Sequence, residues 1–227
     1  QTGVLVLSLC ATRGIVDAQF RSISERIAAD ECVGEYTVAA DLFPEERRAV
    51  SLTYTANAQA GGVNYDADIA YSANFKVITD TMAKEQYILT QCGTDAPSDA
   101  VVDELSPKPA SDYKRKSFTI PLQRATATST VQLSFLEALG VADRIIHIPG
   151  YAVGSCWQKA RGCGSALEDS WGDATLRAAQ LDGSEAVFMD CSSASPVECS
   201  NVHDQRNGIH FAASQASGAL AAASYVR

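Results

Sequence analysis

Seven cysteines, Cys10, Cys32, Cys92, Cys156, Cys163, Cys191 and Cys199, are the residues of this chain best equipped for covalent chemistry. Setting aside Cys10, which lies in an apolar N-terminal run, leaves six, an even number that complete pairing requires and that allows fifteen connectivities. Two pairs lie close together in loop-like sequence, Cys156 with Cys163 and Cys191 with Cys199, and loops this short can be closed. Cys32 and Cys92 then pair by elimination. No spacing is C-x-x-C, so neither a zinc ribbon nor a thioredoxin-like redox motif is expected. A disulfide set of this kind points to an oxidising compartment and therefore to secretion.

The three histidines, His147, His203 and His210, show no H-x-H or H-E-x-x-H spacing and give no expectation of a metal. His147 lies inside an apolar strand pattern, where a hydrogen-bonded core histidine is expected. His210 alternates with Ile209 and Phe211, which places it either in the core or at a strand end facing a cleft. There is no G-x-S-x-G elbow, no P-loop, and no G-x-G-x-x-G after a strand, and the acids are scattered. The expectation is a protein without a catalytic centre or cofactor. A net charge of −9 and the lack of any Lys/Arg cluster argue against a nucleic-acid partner. The densest basic run, Lys114-Arg115-Lys116, reads as a solvated approach to a strand, with an anion site as the alternative.

With 46% hydrophobic residues, the 227-residue chain can build a sizeable core. The nine apolar residues Gly3–Ala11, followed by Val16-Asp17-Ala18 before Gln19, read as the end of a secretory signal (1–18) or as a buried first strand followed by a helix. Phe20–Ala29 suits a short helix. Asn74–Asp80 and Glu85–Cys92 are rich in β-branched and aromatic residues and read as a β-hairpin. Ala96–Ser117, with Pro97, Pro107 and Pro109, reads as a linker or long surface loop, which would close an N-terminal extension of residues 19–117. From Phe118 onward strands alternate with helices. Phe118–Ile120 is a short strand, and Ser129 and Gln132 form a capping box for a helix that Gly140 ends. Strands then follow at Arg144–Ile148, Ala186–Met189 and Gly208–Ala212, with helices at Asp173–Leu181 and Ser214–Arg227. That order predicts an α/β fold with a doubly wound, parallel, Rossmann-like sheet over 118–227. The last helix has neither cap nor polar tail, and the chain is expected to continue.

The segment Ile120–Ile145 resembles the opening of the class III periplasmic binding proteins, the cobalamin and ferric-siderophore receptors of ABC importers. The carrying features are a strand, Arg124, the small-polar run Ala125–Thr130, a helix ending in Leu139-Gly140, and Asp143-Arg144-Ile145 entering the next strand. Leu176–Phe188 is similar to their following helix and strand, with Asp182-Gly183-Ser184 where Lys-Pro-Asp is usual. Asp41–Pro44, Asn74–Val77 and Tyr87–Thr94 resemble a eukaryotic secreted branch of that superfamily, in which Gly218–Arg227 would stand where the helix between the lobes begins.

The resemblance implies the N-terminal lobe of a monomeric, two-lobed receptor whose second lobe is absent. It further implies an iron complex, haem or cobalamin as ligand and a membrane transporter as partner. In such folds ligands sit at the carboxyl ends of the strands. That points to the loops Thr126–Thr130, Pro149–Trp157, Asp190–Ser193 and Ala213–Gln215, and within them to Thr128, Ser129, Tyr151, Trp157, Ser192 and Ser214. The competing roles are helix capping for Thr128 and Ser129, and packing for Tyr151, Trp157 and Trp171. A secreted hydrolase that reused the fold and a ligand-free surface protein are the alternative functions.

Overall fold

The computed structural model describes residues 21–37, 40–45, 48, 52–56, 63–81, 83–170, 172–189, 202 and 204–211, with 52–56 and 63–67 as backbone only. The readings for residues 1–18, Trp171, Cys191, Ser192, Cys199, His203, Ser214 and the helix 214–227 fall outside these residues. Among the described residues, no helix is long and apolar enough to cross a membrane.

The short N-terminal helix is present as α1 (Ile23–Ala28), its first turn closed by a Ser22–Glu25 capping box. A mixed sheet follows, built in chain order from β1 (Leu52–Ala56), β2 (Val63–Tyr71), β3 (Phe75–Asp80), β4 (Glu85–Gln91) and β5 (Lys114–Ile120). The expected hairpin is the antiparallel pair β3–β4, in which Ile78 faces Tyr87.

The reading of Ala96–Ser117 as a linker is corrected. Ser98 caps a helix, α2 (Asp99–Leu105), which leads into β5 running parallel to β4. Parallel neighbours need a crossover, and this segment supplies it. Its prolines flank α2 and do not interrupt it, and Val102 inserts among Phe75, Val77 and Ile88. Phe118–Ile120, expected to open the parallel sheet, is instead the end of β5, so a boundary at 117/118 falls inside a strand.

The expected parallel sheet holds from residue 125. It comprises β6 (Ala125–Ala127), β7 (Ile145–Ile148), β8 (Leu167–Glu168), β9 (Ala186–Met189) and β10 (Gly208–His210), in the order β10-β9-β6-β7-β8 and all in one direction. Helices α3 (Thr130–Ala138), α4 (Ser155–Gly162) and α5 (Ala174–Asp182) lie on its connections. The end of α3 follows the expected chemistry. Gly140, at φ +72°, adopts the left-handed turn, so that its N–H reaches Glu137 O and that of Val141 reaches Leu136 O.

Cys32 and Cys92 are joined as expected, although one of the two pairings on which the elimination rested fails. Gly93 makes the approach of the two segments possible: at φ +86°, a Cβ there would lie 1.9 Å from Val33 O. The Cys156–Cys163 bridge does not form. The sequence between them is helix α4 and not a loop, and seven helical residues rise about 10 Å, beyond the ~7 Å Cα separation a disulfide tolerates. Cys156 is a half-buried free thiol, and Cys163 is disulfide-bonded.

The two sheets share a core in which Tyr87 and Phe118 from the first meet Ala127 and Ile148 from the second and Leu133 and Trp157 from α3 and α4. A buried polar cluster joins them beside β10. Glu85, fully buried, pairs with Lys116 Nζ at 2.6 Å, and that ammonium also donates to Gly208 O at 3.0 Å and to Val202 O. The Tyr87 hydroxyl accepts the His210 N–H at 2.9 Å, and His210 Nδ1 lies 2.7 Å from Asp80 Oδ2. Side chains of β4 and β5 thus occupy hydrogen-bonding positions that another strand would use on β10, which closes an otherwise open sheet edge.

Candidate functional site

Strand order reverses at β6: the chain first builds β7 and β8 on one side, then β9 and β10 on the other. In open parallel sheets the crevice at the carboxyl ends beside such a reversal is the usual ligand position, and here that position is between β6 and β9. Thr128 stands at this reversal. Its N–H and hydroxyl both donate to Phe188 O, at 3.1 and 3.0 Å, extending the β6–β9 contact one residue past the strands. Ser129 caps α3 through Val131 N–H, and Gln132 Oε1 accepts from Thr128 N–H and Ser129 N–H at 3.1 and 3.2 Å. The capping role assigned to Ser129 is therefore real, and it also orients the loop at the crevice.

Beside Thr128, three half-buried rings gather. Phe211, just beyond β10, packs edge-on against Phe135 of α3 at 5.7 Å and Phe188 of β9 at 6.0 Å. Reading the sequence placed these three in a helix stripe and two strands and missed them as a group. Their separation along the chain hides a neighbourhood that only the strand order creates.

The loop after β7 divides the two expected aromatic contacts. Tyr151 is 67% exposed at the rim, with Val153 beside it at 79%. Trp157 is a core residue, 3% exposed, against Ile148 and its neighbours. Trp157 as a ligand contact is corrected: one turn into α4, its ring turns back under the sheet and fills the core. Arg161 holds the Tyr151 loop by donating to Gly150 O at 2.7 Å, and it pairs with Glu168 at 3.5 Å. At the end of β8, Asp169 is buried and paired with Arg177 at 3.2 Å.

His147 is the hydrogen-bonded core histidine that was expected. Its Nδ1 meets Thr126 Oγ1 at 2.9 Å, Thr126 meets Ser184 Oγ at 2.7 Å, and Ser184 donates to Gln180 O at 3.1 Å. With Ser184 donating onward, this chain runs in one direction only if His147 carries its proton on Nδ1. Burial, helped by the Arg124 charge, lowers the His147 pKa to about 4, so the ring stays neutral at neutral pH.

An unfolded histidine protonates near 6.5, so between pH 6.5 and 4 the unfolded chain binds more protons than the folded one. Stability is therefore complete above pH 6.5 and declines as pH falls towards 4. The full shift corresponds to ~3 kcal/mol, and screening from nearby solvent reduces it to about 2. Urea unfolding at pH 7 and pH 4.5 should show this loss, and a His147→Gln variant should remove most of the difference.

His210 does not face the crevice. Its side chain is enclosed with Asp80 between the sheets. Among the described residues, no group of three or more His, Cys, Asp or Glu side chains is arranged to hold a metal. Comparison of the chain with protein-family models, curated proteins and solved structures finds no match.

Proposed function

We propose that this chain is one lobe of a secreted, two-lobed solute receptor. Its doubly wound, Rossmann-like parallel sheet would present a small-molecule site at the β6–β9 reversal. The observation that carries the reading is the convergence there of the Thr128–Ser129 loop with the Phe135–Phe188–Phe211 cluster. The Ser129 hydroxyl, which keeps its proton to donate, and the Thr128 hydroxyl, which can still accept, beside half-buried rings suit a ligand with a flat apolar body and a polar edge. The resemblance of Ile120–Ile145 to class III binding proteins narrows the class to an iron chelate, haem or cobalamin, delivered to a membrane transporter. The Cys32–Cys92 bond fits folding in an oxidising compartment.

Thermal unfolding of the protein with a panel of ferric siderophores, haem and cobalamin tests the proposal. A ligand at a hundredfold its Kd stabilises by about 2.7 kcal/mol, or roughly 5–10 °C in a chain of this size. Tyr151 is exposed, so Tyr151→Ala should leave unliganded stability unchanged. If the ligand stacks on it, affinity should fall about tenfold, in line with 1–1.5 kcal/mol for an aromatic contact. Absence of a shift with every member of the panel would remove the ligand class.

A further inference from the structure

At the amino ends of β9 and β10, away from the crevice, lies an open cavity of about 300 Å³, the lower end of the range for small-ligand sites. In a chain of net charge −9, its lining contains Lys114, Arg115, Lys116 and Arg206 against a single carboxylate, Glu185. One oxygen of that carboxylate, Oε2, accepts the main-chain N–H groups of Gln123 and Arg124. The acids paired with the lining cations stand outside it: buried Glu85 with Lys116 and Asp103 with Arg115, both at 2.6 Å, and Asp204, 79% exposed, with Lys114 at 3.5 Å. An exposed pair of the latter kind contributes little and exchanges readily for another anion. Arg206 is exposed and has no hydrogen bond or ion pair among the described residues.

The floor of the cavity is the free edge of β5. Lys114 N–H bonds to Lys84 O and Ile120 O accepts from Cys92 N–H, so the even-numbered residues turn their main-chain groups towards β4. Alternation along the strand turns the main-chain N–H and C=O groups of Arg115 and Ser117 to the open edge, and Ser117 is exposed. Those N–H groups and the Arg206 guanidinium beside one opening make donors for a tetrahedral oxyanion, while the Arg115 guanidinium is held by Asp103 and Gln86.

We infer that this cavity binds a phosphate-type oxyanion, with Arg206 and Lys114 as its mobile cations and the Ser117 edge as its fixed donors. The site is independent of the crevice ligand. Calorimetric titration with inorganic phosphate and with glycerol phosphate at constant ionic strength tests it. Saturable binding is expected, with Arg206→Gln weakening it at least fivefold, Arg206→Gln/Lys114→Gln abolishing saturation, and Lys159→Gln on α4 having no effect. Equal affinity for the two probes would show that the oxyanion alone is read, and tighter glycerol phosphate binding would identify a phosphorylated small molecule. Both results support the site. No saturable binding of either probe, or affinity unchanged in Arg206→Gln, overturns it.

Discussion

Replacing Lys116 with methionine is expected to lower the unfolding free energy by about 3–5 kcal/mol, the usual cost of leaving one half of a buried ion pair alone. Glu85 would be left buried without its ammonium partner, and the carbonyls of Gly208 and Val202 would lose their donor. Burial lowers the Lys116 pKa while Glu85 opposes it, which is the signature of an ammonium held in place by its partner. Removing both charges should recover much of the loss, so Glu85→Leu/Lys116→Met is expected to be more stable than Lys116→Met alone. Urea unfolding of the two variants beside the parent gives the comparison. A Lys116→Met loss below 1 kcal/mol would mean that the first sheet does not secure β10.

The second large effect concerns Cys32 and Cys92. Their bond closes a loop of sequence separation 60, and restricting the unfolded chain over that length is worth about 4 kcal/mol. The double variant Cys32→Ala/Cys92→Ala should therefore melt on the order of 10 °C lower in a protein of this size. Cys92 is 1% exposed, so mild reductant should act on the native protein only as fast as this region opens. A double variant melting within 2 °C of the parent would show that the Val33–Cys92 backbone contact and the Gly93 turn hold the segment unaided. Free Cys156 should react with a thiol reagent in both proteins, which provides an internal reference for labelling.

The two results together test how the parallel sheet is supported. Lys116 acts on its β10 edge. The disulfide fastens the segment carrying Arg26 and Glu31, and Arg26 donates to Pro121 O on the approach to β6. Loss of either support is expected to reach the crevice through these strands, because Phe211 follows β10 directly and Thr128 follows β6.

Much of this architecture was legible in the residue order. Hydrophobic period, the Ser129–Gln132 cap and the Gly140 stop located α3, and short apolar runs located β7, β9 and β10. These are local properties, set by backbone sterics and by near-neighbour hydrogen bonds, and they act before any long-range contact forms. The β3–β4 hairpin was legible for the same reason.

What the residue order did not reveal depends on which distant segments meet. Pro97, Pro107 and Pro109 suggested a linker, yet α2 fits between them because the hydrophobic gap above Phe75, Val77 and Ile88 receives Val102. Cys156 and Cys163 look pairable by spacing, but helical rise separates them. Phe118 has the pattern of a first parallel strand, and the register Leu89↔Phe118 assigns it to the other sheet. The crevice has no local signature at all. Phe135, Phe188 and Phe211 become neighbours only because β9 and β10 add to the side of β6 opposite β7, a choice governed by the packing of whole strands and invisible to any short window of sequence.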